Sequence, residues 1–224
     1  MNRTVHEIAR SSRQHGLAFP NWGGARRSAG RKRRGPRRRV EHRKRPSHAG
    51  REPLHVTVRL RDGLPTLRAR PVRGVVVDAL ADGGDRFGFR LNQFSLQSNH
   101  IHLIAEAEDR TALGRGMQAL LVRVARALNR LWNRRGSVFS DRYHARPLRT
   151  PREVRAALLY VLANARHHGL RILGIDPFSS GAWFDGWLGR APAAHRSPCV
   201  RARTWLLAEG WRRHGAIAVA EAPA

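Results

Sequence analysis

Apolar residues along the chain first recur in alternation. Leu54-His-Val-Thr-Val-Arg-Leu60 places leucine or valine at every second position, the pattern of a strand with one buried face, and Asp62-Gly63 ends it. Val72 to Ala81 then carries Val75, Val76, Ala79 and Leu80 at helical spacing, with Gly83-Gly84 as the stop. Phe87 to Leu96 predicts a second strand, with Phe87, Phe89 and Leu91 on one parity. A turn near Ser98-Asn99 leads into a third, His100-Ile-His-Leu-Ile-Ala-Glu-Ala107. From Thr111 to Trp132 apolar residues return at Leu113, Met117, Leu120, Leu121, Val124, Leu128 and Leu131, predicting a long amphipathic helix with arginines on its other face. Val138 to Leu148 holds short extended pieces with room for a fourth strand. Thr150-Pro-Arg-Glu153 is a helix start, with threonine at the N-cap, proline in the first turn and glutamate three residues after the cap. That helix is expected to run through Leu158, Leu159, Tyr160, Val161 and Asn164 to about His168, where Gly169 stops it.

The order strand, helix, strand, strand, helix, strand, helix predicts an α+β fold, an antiparallel sheet with helices on one or both faces. After Ile175, Trp183, Trp187, Trp205 and Trp211 stand among glycine and proline, and 176–224 is expected to be a partly ordered extension. No internal repeat is visible.

Composition narrows the setting. The 224 residues, 41% of them hydrophobic, suffice for one domain with appendages and exclude global disorder. Lysine and arginine number 43 against 16 acids, a formal charge of +27. Only Lys32 and Lys44 are lysines, so the cation is guanidinium, which forks onto phosphate oxygens and stacks on bases. Biased codon use can raise arginine but does not explain so few acids, and a polyanionic partner is expected. Residues 1–50 hold 15 of the cations and two acids, Glu7 and Glu41. With so little apolar matter this stretch is predicted to be a disordered basic arm, and Arg33, Arg34 and Arg38 suit sequence-independent phosphate contact. Cys199 is the only cysteine, which excludes an intramolecular disulfide and a cysteine-rich zinc site. No stretch reaches the roughly 18 apolar residues of a membrane span. Arg3, His6, Arg10 and Arg13 interrupt any signal-peptide core, so a cytoplasmic location without a membrane partner is expected.

The sharpest chemical feature is Asn99-His100-Ile101-His102. On a strand, His100 and His102 share a face while Ile101 and Leu103 enter the opposite layer, and two imidazoles about 6–7 Å apart along a strand can converge on one cation. Taken alone, the pair equally suits two ordinary polar residues on a half-buried sheet. Glu106 shares the parity but lies roughly 13 Å along the strand from His102, too far to join the same ion. A third ligand has to come from another element. On the helix from 151, Tyr160 and Asn164 are one turn apart, and His167 or His168 continues that face. The only other tyrosine is Tyr143.

Asn-His-Ile-His-Leu-Ile at 99–104, a long helix, and then a helix bearing Tyr160-Val-Leu-Ala-Asn164 together resemble the single-tyrosine HUH transposases, especially the REP-associated tyrosine transposase group. The opening strand with His55-Val56-Thr57 is also similar, and the resemblance covers roughly Pro53 to Ile175. Leu162 and Ala165 depart from a histidine and a proline common in the family. The resemblance implies a ferredoxin-like sheet with the histidines on a central strand and a catalytic domain over 51–175. It implies cleavage and rejoining of single-stranded or hairpin DNA through a 5′-phosphotyrosine on Tyr160. It further implies a divalent cation, Mg2+ or Mn2+, held by His100, His102 and Asn164, although imidazoles alone favour zinc or another transition metal. Arg115, Arg123, Arg126 and Arg130 on the long helix, with Arg142, Arg146 and Arg149 after it, are expected to track the DNA backbone, and Trp132 could stack on a base. The alternatives are an inactive, domesticated nucleic-acid-binding module on the same fold, or a metal-dependent phosphodiesterase that uses water. Both monomer and homodimer remain open.

Overall fold

In the computed structural model the described residues are 47–167, 172, 174–221, with the side chains of residues 166 and 167 left aside. The predicted basic arm, with Arg33, Arg34 and Arg38, lies outside them apart from its last four positions, as do His168 and the Gly169 stop. Among the described residues no helix is long and apolar enough to cross a membrane.

The alternation at 54–60 forms β1, Leu54–Arg59, and the helical spacing after it forms α1, Arg70–Gly83. The second predicted strand begins later than its phenylalanines suggest. Asp85–Arg86 is a short strand, β2, which pairs with β3, Phe89–Leu96, across a turn at Phe87 and Gly88 whose φ angles are 58° and 73°. Phe87 is therefore an exposed turn residue, not a member of the apolar row. A turn with both central residues at positive φ matches the twist of the strands it joins, and Gly88 adopts it without a Cβ penalty. β4 is His100–Ala107, α2 is Arg110–Leu131 capped by the Asp109 side chain, β5 is His144–Pro147, and α3 is Pro151–Leu162. The capping box predicted at Thr150 and Glu153 is fully formed. α3 stops at Leu162, with Ala163 as its C-cap, and a separate turn of helix follows over Asn164–His167.

The five strands lie in the order β2-β3-β4-β1-β5, all antiparallel neighbours. Without the β2 hairpin this is the β3-β4-β1-β5 order of a ferredoxin-like βαββαβ unit, with β4 inserted between β1 and β3. The fold is α+β, as predicted, and the histidine strand is central.

Strand parity divides the chain into two layers. Leu54, Val56 and Val58 of β1, with Ile101, Leu103 and Ala105 of β4, face Val76 and Leu80 of α1 and Met117, Leu120 and Val124 of α2 in one core. α2 comes so close to the sheet that a Cβ on Gly116 would collide with the Phe89 ring. Trp132 packs at the edge of this core, half-buried, so the core reading of that residue holds. The opposite face of β4 contributes Ile104 to a second core built from Val154, Leu158 and Val161 of α3 and from Phe184, Trp187 and Trp211. A register shift between Leu91 and Gln93 moves the apolar parity of β3 from Phe89 and Leu91 to Phe94 and Leu96, which the regular period of two does not anticipate.

Two buried carboxylates fasten the chain after α3 to the sheet. Asp176 takes a two-pronged ion pair from Arg68, both contacts at 2.9 Å. Glu106, wholly buried, accepts from Arg90 Nε at 3.0 Å, from the Arg203 N–H at 2.9 Å and from the Thr204 N–H at 2.7 Å.

Candidate active site

The α3 face of the sheet carries a row of polar side chains that the fold sets side by side. Thr57 of β1 lies directly opposite His102 of β4, and His55 is the next same-face residue of β1, opposite Ile104. On the far side of β1, His144 pairs with Thr57 and Arg146 with His55. α3 crosses above, and its Tyr160 ring meets His102 edge-on at 5.1 Å between centroids and His55 at 5.7 Å. The structure thus brings together His100, His102 and Tyr160, which the sequence singled out, and adds His55 and Thr57. The one other tyrosine is excluded from this side, because Tyr143 is buried in the core beneath the opposite face.

The hydrogen bonds assign the histidine tautomers. Asn99 Oδ1 lies 2.9 Å from His100 Nδ1, and an amide oxygen only accepts, so Nδ1 carries the proton and Nε2 keeps its lone pair. His102 Nδ1 lies 3.2 Å from both Thr57 Oγ1 and His55 Nε2. A proton on His102 Nδ1, donated to these partners, leaves its Nε2 free as well. Burial, with the positive charge of Arg146 and the neighbouring His144, pushes the His55 pKa down to about 4, so this ring stays neutral and offers a lone pair. The two Nε2 atoms then face each other at 3.0 Å. Two lone pairs at that separation repel unless a proton or a cation sits between them.

The same distance is the edge of an octahedron with bonds of about 2.1 Å, so the pair fits adjacent positions on a small divalent cation. Among the described residues no group of three or more His, Cys, Asp or Glu side chains could hold a metal by itself. Glu106 is not available, as the spacing predicts, since its oxygens are committed to Arg90, Arg203 and Thr204. Asn164 supplies a different kind of donor. It is fully buried, and neither its Oδ1 nor its Nδ2 has a hydrogen-bond partner. Leaving both ends of a buried amide unpaired costs several kcal/mol, on the order of 1–3 for each end, which a bound cation or water would relieve. It follows Tyr160 by one helical turn, across the break at Ala163. Two imidazoles and one orphaned amide oxygen fit an open cation site whose other positions are left to solvent and substrate.

The arginines divide between two faces. Arg146 stands on β5 next to His55, with a loose contact of 3.5 Å to Glu153. Arg142 and Arg149 are exposed in the loops bounding β5, and Arg149 is paired at 3.7 Å with Glu52. The four on α2 lie elsewhere. α2 packs against the opposite face of the sheet, so Arg115, Arg126 and Arg130, exposed, and Arg123, half-buried, are not brought to the histidines. Helical periodicity shows that these arginines face away from a core but not which side of the sheet that core is on. His55 and Thr57 were legible in principle, as the two polar residues that alternate with Leu54, Val56 and Val58.

No protein-family model matches the sequence, and no curated protein sequence matches it. Among solved structures, a REP-associated tyrosine transposase bound to a REP hairpin is similar at 16% identity over 73% of this chain and 99% of that chain, with a TM-score of 0.47. A Deinococcus radiodurans R1 protein assigned as a transposase is similar at 16% identity over 54% of this chain and 87% of that one, with a TM-score of 0.37.

Proposed function

We propose that the protein cleaves and rejoins single-stranded DNA with Tyr160 as the nucleophile, at a site where His100, His102 and Asn164 hold a divalent cation, Mg2+ or Mn2+. The observation that carries this reading is the Tyr160 ring set against His102 while the two Nε2 lone pairs of the histidine pair converge at 3.0 Å. The motif order from Asn99 to Asn164 supports it.

A phenol is a weak nucleophile at neutral pH and needs both positioning and an activated target. The cation, when bound, polarises the scissile phosphate and offsets the charge that builds on its oxygens. The chain does the rest. Asn99 and Thr57 fix the two imidazole tautomers, α3 holds the phenol over the imidazoles, and Arg146 adds positive charge beside them. The Tyr160 oxygen forms a bond to phosphorus as the bond to the 3′ oxygen breaks. The phenol loses its proton and the departing 3′ oxygen takes one up. The product is itself a phosphodiester, so a second 3′-hydroxyl can attack it and reseal a strand without ATP. In this reading Arg142, Arg146 and Arg149 follow the strand near the site. The arm with Arg33, Arg34 and Arg38 acts as a sequence-blind tether, and the α2 arginines form a separate basic surface.

The test is incubation of the full chain with a labelled single-stranded hairpin and Mg2+ or Mn2+. A covalent protein–DNA adduct on a denaturing gel is expected for the wild type and for Tyr143→Phe, and none for Tyr160→Phe or His102→Ala. An adduct that survives Tyr160→Phe overturns the assignment. Cleavage without adduct, unaffected by Tyr160→Phe, would establish the water-using phosphodiesterase instead.

A further inference from the structure

The chain after α3 builds a cavity of about 480 Å3 between the edge of β3 and the second core, and no step of the proposed cleavage uses it. Its wall includes Asn92, Trp183, His195, Arg201 and Arg212, and it touches α3 at Leu158, two residues before Tyr160. None of the histidines of the active site lines it.

Asn92 sits where the register of β3 shifts, so it has no partner across the ladder and turns its side chain out of the sheet. The residue is 3% exposed. Its Nδ2 donates to the Val200 carbonyl at 3.2 Å, which fixes the amide, and its Oδ1 has no hydrogen-bond partner. The Trp183 indole N–H is likewise buried without an acceptor. One wall group therefore lacks a donor and another lacks an acceptor. The edge of every nucleobase offers both, an N–H beside a lone pair. Trp183 also carries an aromatic surface, half-buried and packed edge-on against His195 at 5.0 Å between centroids. Stacking on such a surface is how single strands are held without sequence reading. Arg201 is exposed at the wall, and Arg212 is anchored there by Asp185 at 3.1 Å, so positive charge lies where a phosphate would follow the base. The volume accommodates a nucleotide.

We infer that this cavity receives an unstacked nucleotide of the single-stranded DNA on which the enzyme acts, with the base stacked on Trp183 and its edge paired with Asn92 Oδ1 and the Trp183 N–H. The inference rests on the reading that the substrate is single-stranded DNA. It does not rest on cleavage. A free nucleotide has the same chemistry as one in a strand, and the experiment separates the two.

Binding is measured with the Tyr160→Phe protein, which keeps the complex uncleaved, by fluorescence anisotropy. The probe is an oligonucleotide carrying a hairpin with single-stranded flanks, and a set of copies each has one base replaced by an abasic site. One abasic position is expected to weaken binding about tenfold. Added Trp183→Phe, which removes the N–H and shrinks the stacking surface, should weaken the intact probe by a similar factor and the copy abasic at that position hardly further. If Trp183→Phe shifts the thermal midpoint, His195→Ala carries the same cycle. A flat abasic scan, or losses from the variant and the abasic site that simply multiply, overturns the inference. Displacement of nothing by deoxynucleoside monophosphates is expected. A monophosphate that binds while the scan stays flat would make the occupant a free nucleotide and overturn the assignment to the strand. A wild-type adduct with a flat scan sinks the cavity alone. A position-specific cycle without any adduct sinks the cleavage reading alone.

Discussion

Glu106 shows how strongly the second layer depends on one buried group. The carboxylate is wholly buried, its Arg90 partner has a side chain 9% exposed, and the two meet at 3.0 Å. Two further donors are backbone N–H groups of Arg203 and Thr204, in the segment that leads into the tryptophan-bearing core. Glu106→Gln keeps the shape but removes the charge and points an NH2 group at an existing donor. The guanidinium of Arg90 is then buried without a counter-charge, a loss that typically costs about 3–5 kcal/mol. For a domain of this size that is a fall in midpoint of roughly 6–20 °C, at about 2–4 °C per kcal/mol. The assay is urea unfolding followed by tryptophan fluorescence, since Trp187 and Trp211 lie in the affected core. A pH series adds a second check. Burial would raise the Glu106 pKa, but hydrogen bonds from Thr204, Arg203 and Arg90 outweigh it and hold the carboxyl below its ordinary value. A carboxylate with a depressed folded pKa contributes its stabilisation in full above the unfolded pKa, and that contribution is lost as the pH falls through the folded value. Wild type should therefore lose stability on acidification with a steeper slope than Glu106→Gln. Adding Arg90→Met to Glu106→Gln should recover part of the loss, because it removes the stranded charge. A single variant within about 1 kcal/mol of wild type at pH 7, or an unchanged acid slope, would refute the argument.

Two other substitutions test the framework around the site. Thr150→Ala removes the N-cap of α3, which should cost about 1 kcal/mol by chemical unfolding and reduce adduct formation in proportion to the fraying of the helix that carries Tyr160. Gly116→Ala places a methyl against Phe89, so α2 must move off the sheet; a loss of about 1–3 kcal/mol is expected by thermal unfolding, with the histidine face retaining its residual activity.

The elements were legible wherever a single period ran long enough. β1, β4, α1 and α2 follow from alternation or from helical spacing, and the capping box at Thr150 marks the start of α3 without help from tertiary contacts. Phe87 misleads because an apolar side chain at the right parity looks like strand, while the two-residue turn it occupies is set by pairing between Asp85–Arg86 and β3. The parity change after Leu91 is hidden for a similar reason: a one-residue bulge leaves no mark on composition. The end of α3 at Leu162 was also not visible, since Ala163 is a good helix former and the break comes from tertiary packing.

The site was legible in its members but not in its company. Period two places His100 and His102 on one face, and period 3.6 places Tyr160 and Asn164 on another, yet neither period says that the two faces meet. Strand order settles that. β4 lies beside β1, so the polar alternates of β1, His55 and Thr57, become the neighbours that hold His102 in one tautomer. Strand order also settles the arginines. A ferredoxin-like unit sends both of its crossover helices to one face of the sheet, here α1 and α2, and leaves the other face to whatever follows the last strand. The residues that can reach the histidines are therefore those of β1, β5 and α3, together with the chain beyond, and a basic row on α2 is too far round the sheet to contact the same scissile phosphate. The formal charge of +27 thus describes two or more surfaces and not one groove. DNA that engaged the α2 row while its phosphate lay at Tyr160 would have to pass around an edge of the sheet.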